Sequence, residues 1–192
     1  MFRRVRDILR DPQVLDRIVG TFMKSSPEVL VSILRRRKVL KFIYASVLIE
    51  FLNAEGFYKD FFKELGNANR EVIIYSPFVH SNRLLKLGVL NALRRCVLRG
   101  VSVNVYIRRR DDRSIFNRSD YEHCIKEMKQ AGIKVHELAE FHAKIVAIDR
   151  RITYVGGINV LSHKEGSPDC MLKIKDPDLT DVLLSKIYEH LP

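Results

Sequence analysis

A stretch of eighteen residues holds most of the side chains in this chain that could act on a phosphodiester. An imidazole can serve as a nucleophile or as a general acid, and a lysine or an amide can hold negatively charged oxygens. Glycines let a ligand approach the backbone closely. The stretch therefore predicts chemistry on a phosphoryl group without a metal ion. Its members are His142, Lys144, Asp149, Gly156, Gly157 and Asn159.

A predicted hairpin positions these groups. Residues 141–148 are rich in Phe, Ile, Val and Ala, which predicts a buried strand. Alternation along that strand puts His142 and Lys144 on the same face. Residues 151–155 predict a second strand. Asp149 lies at the turn, where it can either stabilise the hairpin or take part directly in catalysis.

Each residue alone also has a purely structural explanation. A histidine on an apolar strand is often a core residue, and Gly-Gly followed by Asn is often a turn. Lys144 fits a structural role less well, because a buried lysine is rare without a partner. The joint pattern and its spacing favour a functional site.

The alternation of short apolar runs with amphipathic segments after residue 53 predicts an α/β fold. We expect a central mixed, mostly parallel β-sheet flanked by helices in residues 54–192, and a basic helical extension in residues 1–53. Strands are predicted at 71–76, 101–107, 133–136 and 170–175, and helices at 82–99, at 120–131 and after Asp176.

The spacing His-x-Lys, four residues, Asp, six residues, Gly-Gly-x-Asn resembles the signature of the phospholipase D superfamily. The resemblance covers roughly residues 54–192 and implies a half-domain of that fold. The continuation from Asn159 to His163 is similar to the branch of stand-alone nucleases and nuclease domains linked to helicases. In that branch Ser162 is implied to support phosphate binding, and Gly157 is a candidate for the same support because it lets a ligand approach the backbone. Asp169 is implied to orient the catalytic imidazole.

The chain carries one copy of the motif, whereas lipid-processing members of the family usually carry two. The resemblance therefore implies a homodimer with one active site across a two-fold axis. One His142 attacks phosphorus and the other protonates the leaving oxygen, while both copies of Lys144 and Asn159 hold the non-bridging oxygens. No cofactor or metal is expected.

The charge balance favours a polyanionic partner. The 192 residues hold 34 Lys and Arg against 23 Asp and Glu, a net charge of +11. Such an excess suits nucleic acid or an anionic membrane. Residues 1–53 hold 11 basic and 5 acidic residues, or +6 of that total. Candidate nucleic-acid contacts are Arg35, Arg36, Arg37, Arg108, Arg109, Arg110, Arg113 and Arg118, although a solvated basic surface is the alternative.

Three cysteines without C-x-x-C spacing indicate neither a disulfide framework nor a zinc site. The apolar run 39–52 is too short for a standard membrane span, and no secretory signal is evident. We therefore expect an intracellular protein, in the cytoplasm or with the nucleic acid of a nucleoid or nucleus.

Three functions fit the sequence. The first is a metal-independent nuclease that cleaves DNA, or RNA as an alternative substrate, with a helicase or another DNA-processing protein as a candidate partner. The second is a phospholipid phosphodiesterase or phosphatidyltransferase. The third is a catalytically silent DNA-binding module, against which the intact His142, Lys144 and Asn159 argue.

Overall fold

The computed structural model describes residues 49–109, 117–139, 141–164 and 166–189. Within these ranges one seven-stranded sheet is packed between helices. In chain order the elements are β1 (Ile49–Asn53), α1 (Ala54–Gly66), β2 (Glu71–Tyr75), a π-helix (Asn82–Lys86), α2 (Val89–Leu98), β3 (Ser102–Arg108), α3 (Arg118–Gln130), β4 (Lys134–Leu138), β5 (Ile145–Ile148), β6 (Ile152–Gly156), β7 (Cys170–Ile174) and α4 (Pro177–Glu189).

The strand order is β1-β7-β6-β5-β2-β3-β4. The predicted mixed sheet flanked by helices is confirmed, but the expectation of a mostly parallel sheet is wrong. Only the β2–β3 and β3–β4 pairs of this described sheet are parallel, while its four other pairs are antiparallel. Parallel neighbours need a crossover, which α2 and α3 supply. The β5–β6 hairpin and the two strands beyond it need none.

The helical prediction for residues 1–53 is wrong at its end. Residues Ile49–Asn53 form β1, an edge strand antiparallel to β7. Asn53 then caps α1, because its side chain accepts a hydrogen bond from the Gly56 backbone N–H at 2.8 Å. The rest of the predicted extension lies outside the described residues.

Apolar side chains fill both faces of the sheet. Helices α1, α2 and α3 cover one face, where Phe57 and Phe61 on α1 are fully buried against Tyr154 on β6. Helix α4 covers part of the other face and buries Leu184 and Ile187 against it. The central strands are therefore buried on both sides, which accounts for their nearly continuous apolar sequences.

The predicted helix 82–99 is divided in two. Gly88 adopts φ +81°, a left-handed conformation that interrupts the helix between the π-helix and α2. Gly100, at φ +84°, follows the end of α2 as predicted. The π-helix carries Arg83, which contacts the candidate site.

The strand directions bring four separated parts of the sequence to one end of the sheet. This site end carries the residues after β2 and at the end of β3, the residue before β5, and the β6–β7 connection, whereas the β5–β6 turn lies at the opposite, turn end. The residues that mark the site end are Ser76, Arg108, Lys144, Gly156 and Cys170.

Candidate active site

His142 and Lys144 lie in an irregular segment directly before β5. The strand is shorter than predicted and begins at Ile145, yet the predicted alternation holds in the segment before it. Phe141 and Ala143 are buried, His142 is exposed and Lys144 is half-buried. The two polar side chains can therefore face a ligand while their neighbours anchor the segment in the core.

Lys144 is held close to the histidine backbone. Its Nζ donates a hydrogen bond to the His142 carbonyl oxygen at 3.1 Å. Burial lowers the pKa of Lys144, the nearby Asp169 carboxylate opposes this shift, and the Arg108 guanidinium adds to it. A partly desolvated ammonium interacts more strongly with an anion than one in bulk water.

Arg108 contacts the same histidine from the end of β3. It is 3% exposed, so it is not the surface contact to nucleic acid that the sequence predicted. Its Nε donates to the Phe141 carbonyl oxygen at 2.8 Å, and its Nη2 lies 2.8 Å from His142 Nε2. Arg108 therefore belongs to the candidate site, a role that its place in a basic run did not suggest.

The segment after β6 brings Asn159 to the site end. At Gly156 a Cβ would collide with the Cys170 carbonyl oxygen, so only glycine fits between β6 and β7. The Gly157 N–H donates to the same carbonyl at 2.9 Å. The Asn159 carbonyl accepts hydrogen bonds from the N–H groups of Ser162 and His163 at 3.0 and 2.7 Å, which makes a compact turn.

The Asn159 turn is clamped by residues that sequence reasoning missed. Tyr58 donates from its hydroxyl to the Val160 carbonyl at 3.0 Å, and Arg83 Nε donates to the His163 carbonyl at 3.0 Å. The Arg83 guanidinium also lies 4.5 Å from the centre of the Tyr58 ring. These contacts join residues 102 and 80 positions apart in sequence, and a local motif carries no signal of them.

Asp169 pairs with a different histidine from the one predicted. Its Oδ2 lies 3.3 Å from His163 Nδ1 and accepts a hydrogen bond from Ser167 Oγ at 2.9 Å. In the described part of the chain it makes no hydrogen bond to the His142 ring. The predicted orienting contact is therefore not formed there. His163 follows Ser162 directly, so the motif continuation contained this residue without indicating its partner.

His163 is a buried member of the site. Burial lowers its pKa, Asp169 opposes that shift and Arg83 adds to it. Its Nε2 is buried and has no hydrogen-bond partner among the described residues, and the same holds for the Asn159 Oδ1. Ser162 is half-buried beside these groups. Unsatisfied buried polar atoms are rare in folded proteins and occur at sites that bind a ligand or water.

Asp149 is not at the site. The four-residue strand β5 separates it from Lys144, a distance of about 16 Å along the strand. Its carboxylate accepts backbone hydrogen bonds from Asn69, Arg70 and Glu71 at 3.1, 2.8 and 3.1 Å. Burial opposes its ionisation, but these three donors hold the pKa of Asp149 below its usual value. The structural alternative for this motif residue is the correct one, and a direct catalytic role is excluded by distance.

The other predicted basic contacts are dispersed or undescribed. Arg109 is exposed just after β3, and Arg118 is exposed at the start of α3. Five residues of the prediction lie outside the described ranges: Arg35, Arg36, Arg37, Arg110 and Arg113.

Neither a metal cluster nor a spanning helix is found in the described ranges. No group of three His, Cys, Asp or Glu side chains there is placed to hold a metal ion. None of the helices in those ranges is both long enough and apolar enough to cross a bilayer.

The family model described as "Cardiolipin synthase, PLD-like domain" matches residues 61–191, about two thirds of the chain. The chain belongs to the phospholipase D superfamily. Members of this superfamily are phosphodiester-processing enzymes. Cardiolipin synthase B of Shigella flexneri is 27% identical over 160 residues, which are 73% of this chain and 37% of the relative. The chain spans 20% to 37% of the length of the curated cardiolipin synthases that it matches.

Solved structures share the fold. Nuc of Salmonella typhimurium, a phospholipase D family member, has a TM-score of 0.59 at 17% identity, covering 73% of this chain and 91% of Nuc. TrmBL2, an archaeal chromatin protein with a novel mode of DNA binding, has a TM-score of 0.51 at 13% identity, covering 95% and 70%. At these identities the likeness concerns the fold alone.

Proposed function

We propose that the protein is a metal-independent phosphodiesterase that cleaves DNA through a phosphohistidine intermediate. The observation that carries the proposal is the placement of His142. Its imidazole is exposed at the site end of the sheet, with Lys144 and the buried Arg108 beside it. A nucleophile next to two cations suits attack on a phosphodiester, whose charge grows on its non-bridging oxygens.

The reaction takes two displacement steps. In the first, the lone pair of one His142 imidazole forms a bond to phosphorus while the bond from phosphorus to the leaving sugar oxygen breaks. That oxygen takes a proton from a second imidazole. In the second, this imidazole removes a proton from water, the water oxygen bonds to phosphorus, and the phosphorus–nitrogen bond breaks. Lys144 and Asn159 hold the non-bridging oxygens in both steps, with Gly157 and Ser162 in support.

The second imidazole comes from another copy of the chain. His163 is unsuitable, because its ring is buried and its Nδ1 faces Asp169. A homodimer that places two His142 rings on either side of the phosphate supplies the missing acid.

Subunit mixing tests this arrangement. Wild-type and His142→Ala chains are mixed after unfolding and refolded together at varied ratios. A composite site predicts that activity follows the square of the wild-type fraction, because mixed dimers lack one imidazole. A linear dependence would contradict a shared site.

The net charge of +11 supports DNA as the substrate, since counterion release favours phosphate backbones. A second candidate, phospholipid phosphodiesterase or phosphatidyl transfer, is supported by the curated relatives, which are cardiolipin synthases. A silent DNA-binding module is the third, and the fold shared with the chromatin protein TrmBL2 supports it. A helicase partner stays a prediction from the motif continuation.

One assay separates the three candidates. Labelled DNA, labelled RNA and phosphatidylglycerol vesicles are each incubated with the protein in EDTA, beside His142→Ala. We expect DNA cleavage that the substitution abolishes, with a loss of about 10⁴-fold or more. Lipid turnover alone would favour the second candidate. DNA binding without product from pH 5 to 8 would favour the third.

A further inference from the structure

The contact between Arg108 and His142 bears on the protonation state of the histidine as well as on phosphate binding. Arg108 is held in place by contacts to both its backbone and its side chain. Its backbone N–H donates to the Pro77 carbonyl at 3.1 Å, and its carbonyl accepts from the Tyr121 hydroxyl at 2.6 Å. Its guanidinium carbon lies 5.0 Å from the centre of the Phe78 ring. Because Arg108 Nε is also bonded to the Phe141 carbonyl, the direction in which Nη2 points is set by the fold.

The chemistry of the two partners decides the protonation of the histidine. A guanidinium has N–H donors and no acceptor, and it stays charged at any pH of interest. In a hydrogen bond of 2.8 Å to Arg108 Nη2, the His142 Nε2 must therefore be the acceptor. An acceptor Nε2 carries its lone pair, and the ring proton of the neutral imidazole is then on Nδ1.

A second cation holds the same residue. Lys144 donates to the backbone carbonyl of His142, so the arginine holds the ring and the lysine holds the main chain of the same residue. The Asp169 carboxylate raises the pKa of Lys144 against the effect of burial.

We propose that Arg108 is a positioning residue for the nucleophile, holding His142 as the neutral Nδ1–H tautomer with its Nε2 lone pair accepting from the guanidinium until substrate binds. The reactive consequence rests on the proposed function. An imidazole attacks phosphorus only through an unprotonated nitrogen. The bond to Arg108 must break as phosphorus approaches, since one lone pair cannot serve both. Phosphate oxygens then accept from the released guanidinium of both copies, and the second His142, no longer bonded to its Arg108, takes up the proton that it gives to the leaving oxygen.

The test reads the tautomer directly. Protein labelled with ¹⁵N-histidine is compared with Arg108→Met and Arg108→Lys, and His142→Gln assigns the signals. In the wild type we expect one pyrrole-type Nδ1 and one pyridine-type Nε2 for His142 near neutral pH. Arg108→Met should replace this pattern by averaged tautomer or imidazolium shifts, and Arg108→Lys should restore it in part. Arg94→Met, an exposed arginine on α2, is the matched control and should leave the signals unchanged.

Turnover supplies the second readout. Arg108→Met should lower kcat about 10- to 100-fold with a smaller change in KM, and Arg108→Lys should recover part of the loss. Wild-type tautomer shifts that persist in both Arg108 variants would overturn the proposal. If Arg108→Met does not fold, Arg108→Leu, which also lacks a donor, takes its place in the same comparison. The tautomer measurement needs no substrate, so its result is distinguishable from a failure to find DNA cleavage.

Discussion

The two ends of strand β5 carry the two halves of the same motif and are built in opposite ways. At the turn end, Asp149 accepts three backbone hydrogen bonds, and Arg150 bridges Glu71 and Asp181 at 2.6 and 3.0 Å. At the site end, Asn159 Oδ1 and His163 Nε2 are buried with no hydrogen-bond partner that the described ranges contain. Within those ranges Lys144 has a backbone carbonyl as its hydrogen-bond acceptor.

This contrast shows that residues of one motif can have different roles, some stabilising the fold and others binding a ligand. Groups whose polar atoms are mutually satisfied stabilise the fold, because nothing remains to bind a ligand. Groups left partly unsatisfied lower stability and are retained where function needs them. Substitutions at the turn end should therefore reduce stability and spare activity, and those at the site end should do the reverse.

Among the substitutions considered, Lys144→Met should separate the effect on activity from the effect on stability most strongly. Loss of a cation aimed at the phosphate should lower kcat/KM about 10²- to 10³-fold. The folded-state pKa of Lys144 lies below its ordinary value, so the unfolded chain binds its proton more tightly. Its charge therefore costs stability at neutral pH, and that cost disappears as pH rises above the unfolded-state pKa of about 10.4. Urea unfolding at pH 7 should show the Lys144→Met variant to be no less stable than wild type.

Lys59, an exposed lysine on α1, provides the matched control: Lys59→Met should leave both properties unchanged. A marked loss of stability in Lys144→Met would contradict the contrast between the two ends. It would mean that this ammonium stabilises the fold.

Asp149→Ala should show the opposite pattern. Removing a buried acceptor of three backbone hydrogen bonds should cost about 2–4 kcal/mol of unfolding free energy, with activity per folded molecule nearly unchanged. The pKa of Asp149 is lowered in the folded state, so its contribution is complete above the unfolded-state value of about 3.9. It is lost as pH falls through the lowered pKa.

Denaturant unfolding from pH 7 to pH 2 checks both statements. The gap between wild type and Asp149→Ala should be constant near neutrality and close in acid. Asp149→Asn, which keeps one acceptor oxygen, should lie between them. A loss of turnover out of proportion to the folded fraction would restore a catalytic role to Asp149.

Much of the architecture can be predicted from local patterns. Short apolar runs locate β2 and β7, and alternating side chains locate β3. Asp176 caps α4 as expected, accepting from the Leu179 N–H at 3.1 Å. Strand β1 escapes prediction because its apolar run has no clear period of two, and only its pairing with β7 makes it a strand. The balance of parallel and antiparallel pairs also escapes prediction, because strand pairing depends on contacts between residues that are distant in sequence.

The candidate site is predictable where its geometry is local and unpredictable where it is not. Spacing within one hairpin and its continuation brings His142, Lys144 and Asn159 together. A run of arginines is usually solvated, which places Arg108 at the surface by sequence, whereas the end of β3 turns this one inward. Position in the sequence pairs Asp169 with His142, although the chain folds its carboxylate onto the nearer His163.

Asn159→Ala should have an intermediate effect. Losing one amide donor to the phosphate should lower kcat/KM by about tenfold or somewhat more, which is the free energy of one hydrogen bond. The substitution also removes a buried Oδ1 that lacks a partner in the described structure, so the unfolding free energy should not fall. Thermal unfolding and steady-state kinetics on one preparation measure both. Ser185→Ala, an exposed substitution on α4, controls for small polar-to-alanine changes.

Asp169→Asn should have the smallest effect on kcat. It tests whether the site end needs the negative charge of Asp169. Asparagine keeps an oxygen for Ser167 Oγ and for the Nδ1–H of His163, so the turn should hold and kcat should fall less than about tenfold. The lost charge acts on His163 and on Lys144, whose pKa values Asp169 raises against the effect of burial. Without it the ammonium deprotonates at lower pH, and the alkaline limb of kcat/KM should move to lower pH.

A pH–rate profile of wild type and Asp169→Asn from pH 6 to pH 10 measures that limb, with Asp178→Asn on α4 as an exposed control. The opposite outcome is equally informative. A loss of about 10³-fold or more with an unmoved alkaline limb would mean that Asp169 orients the nucleophile in the working enzyme. The contact between Asp169 and His163 would then be a feature of the isolated chain, and the carboxylate would have to turn toward His142 when the two-fold site assembles. A small loss of kcat with an alkaline limb moved to lower pH would mean that Arg108 orients His142. The Asp169–His163 pair would then support the Asn159 turn.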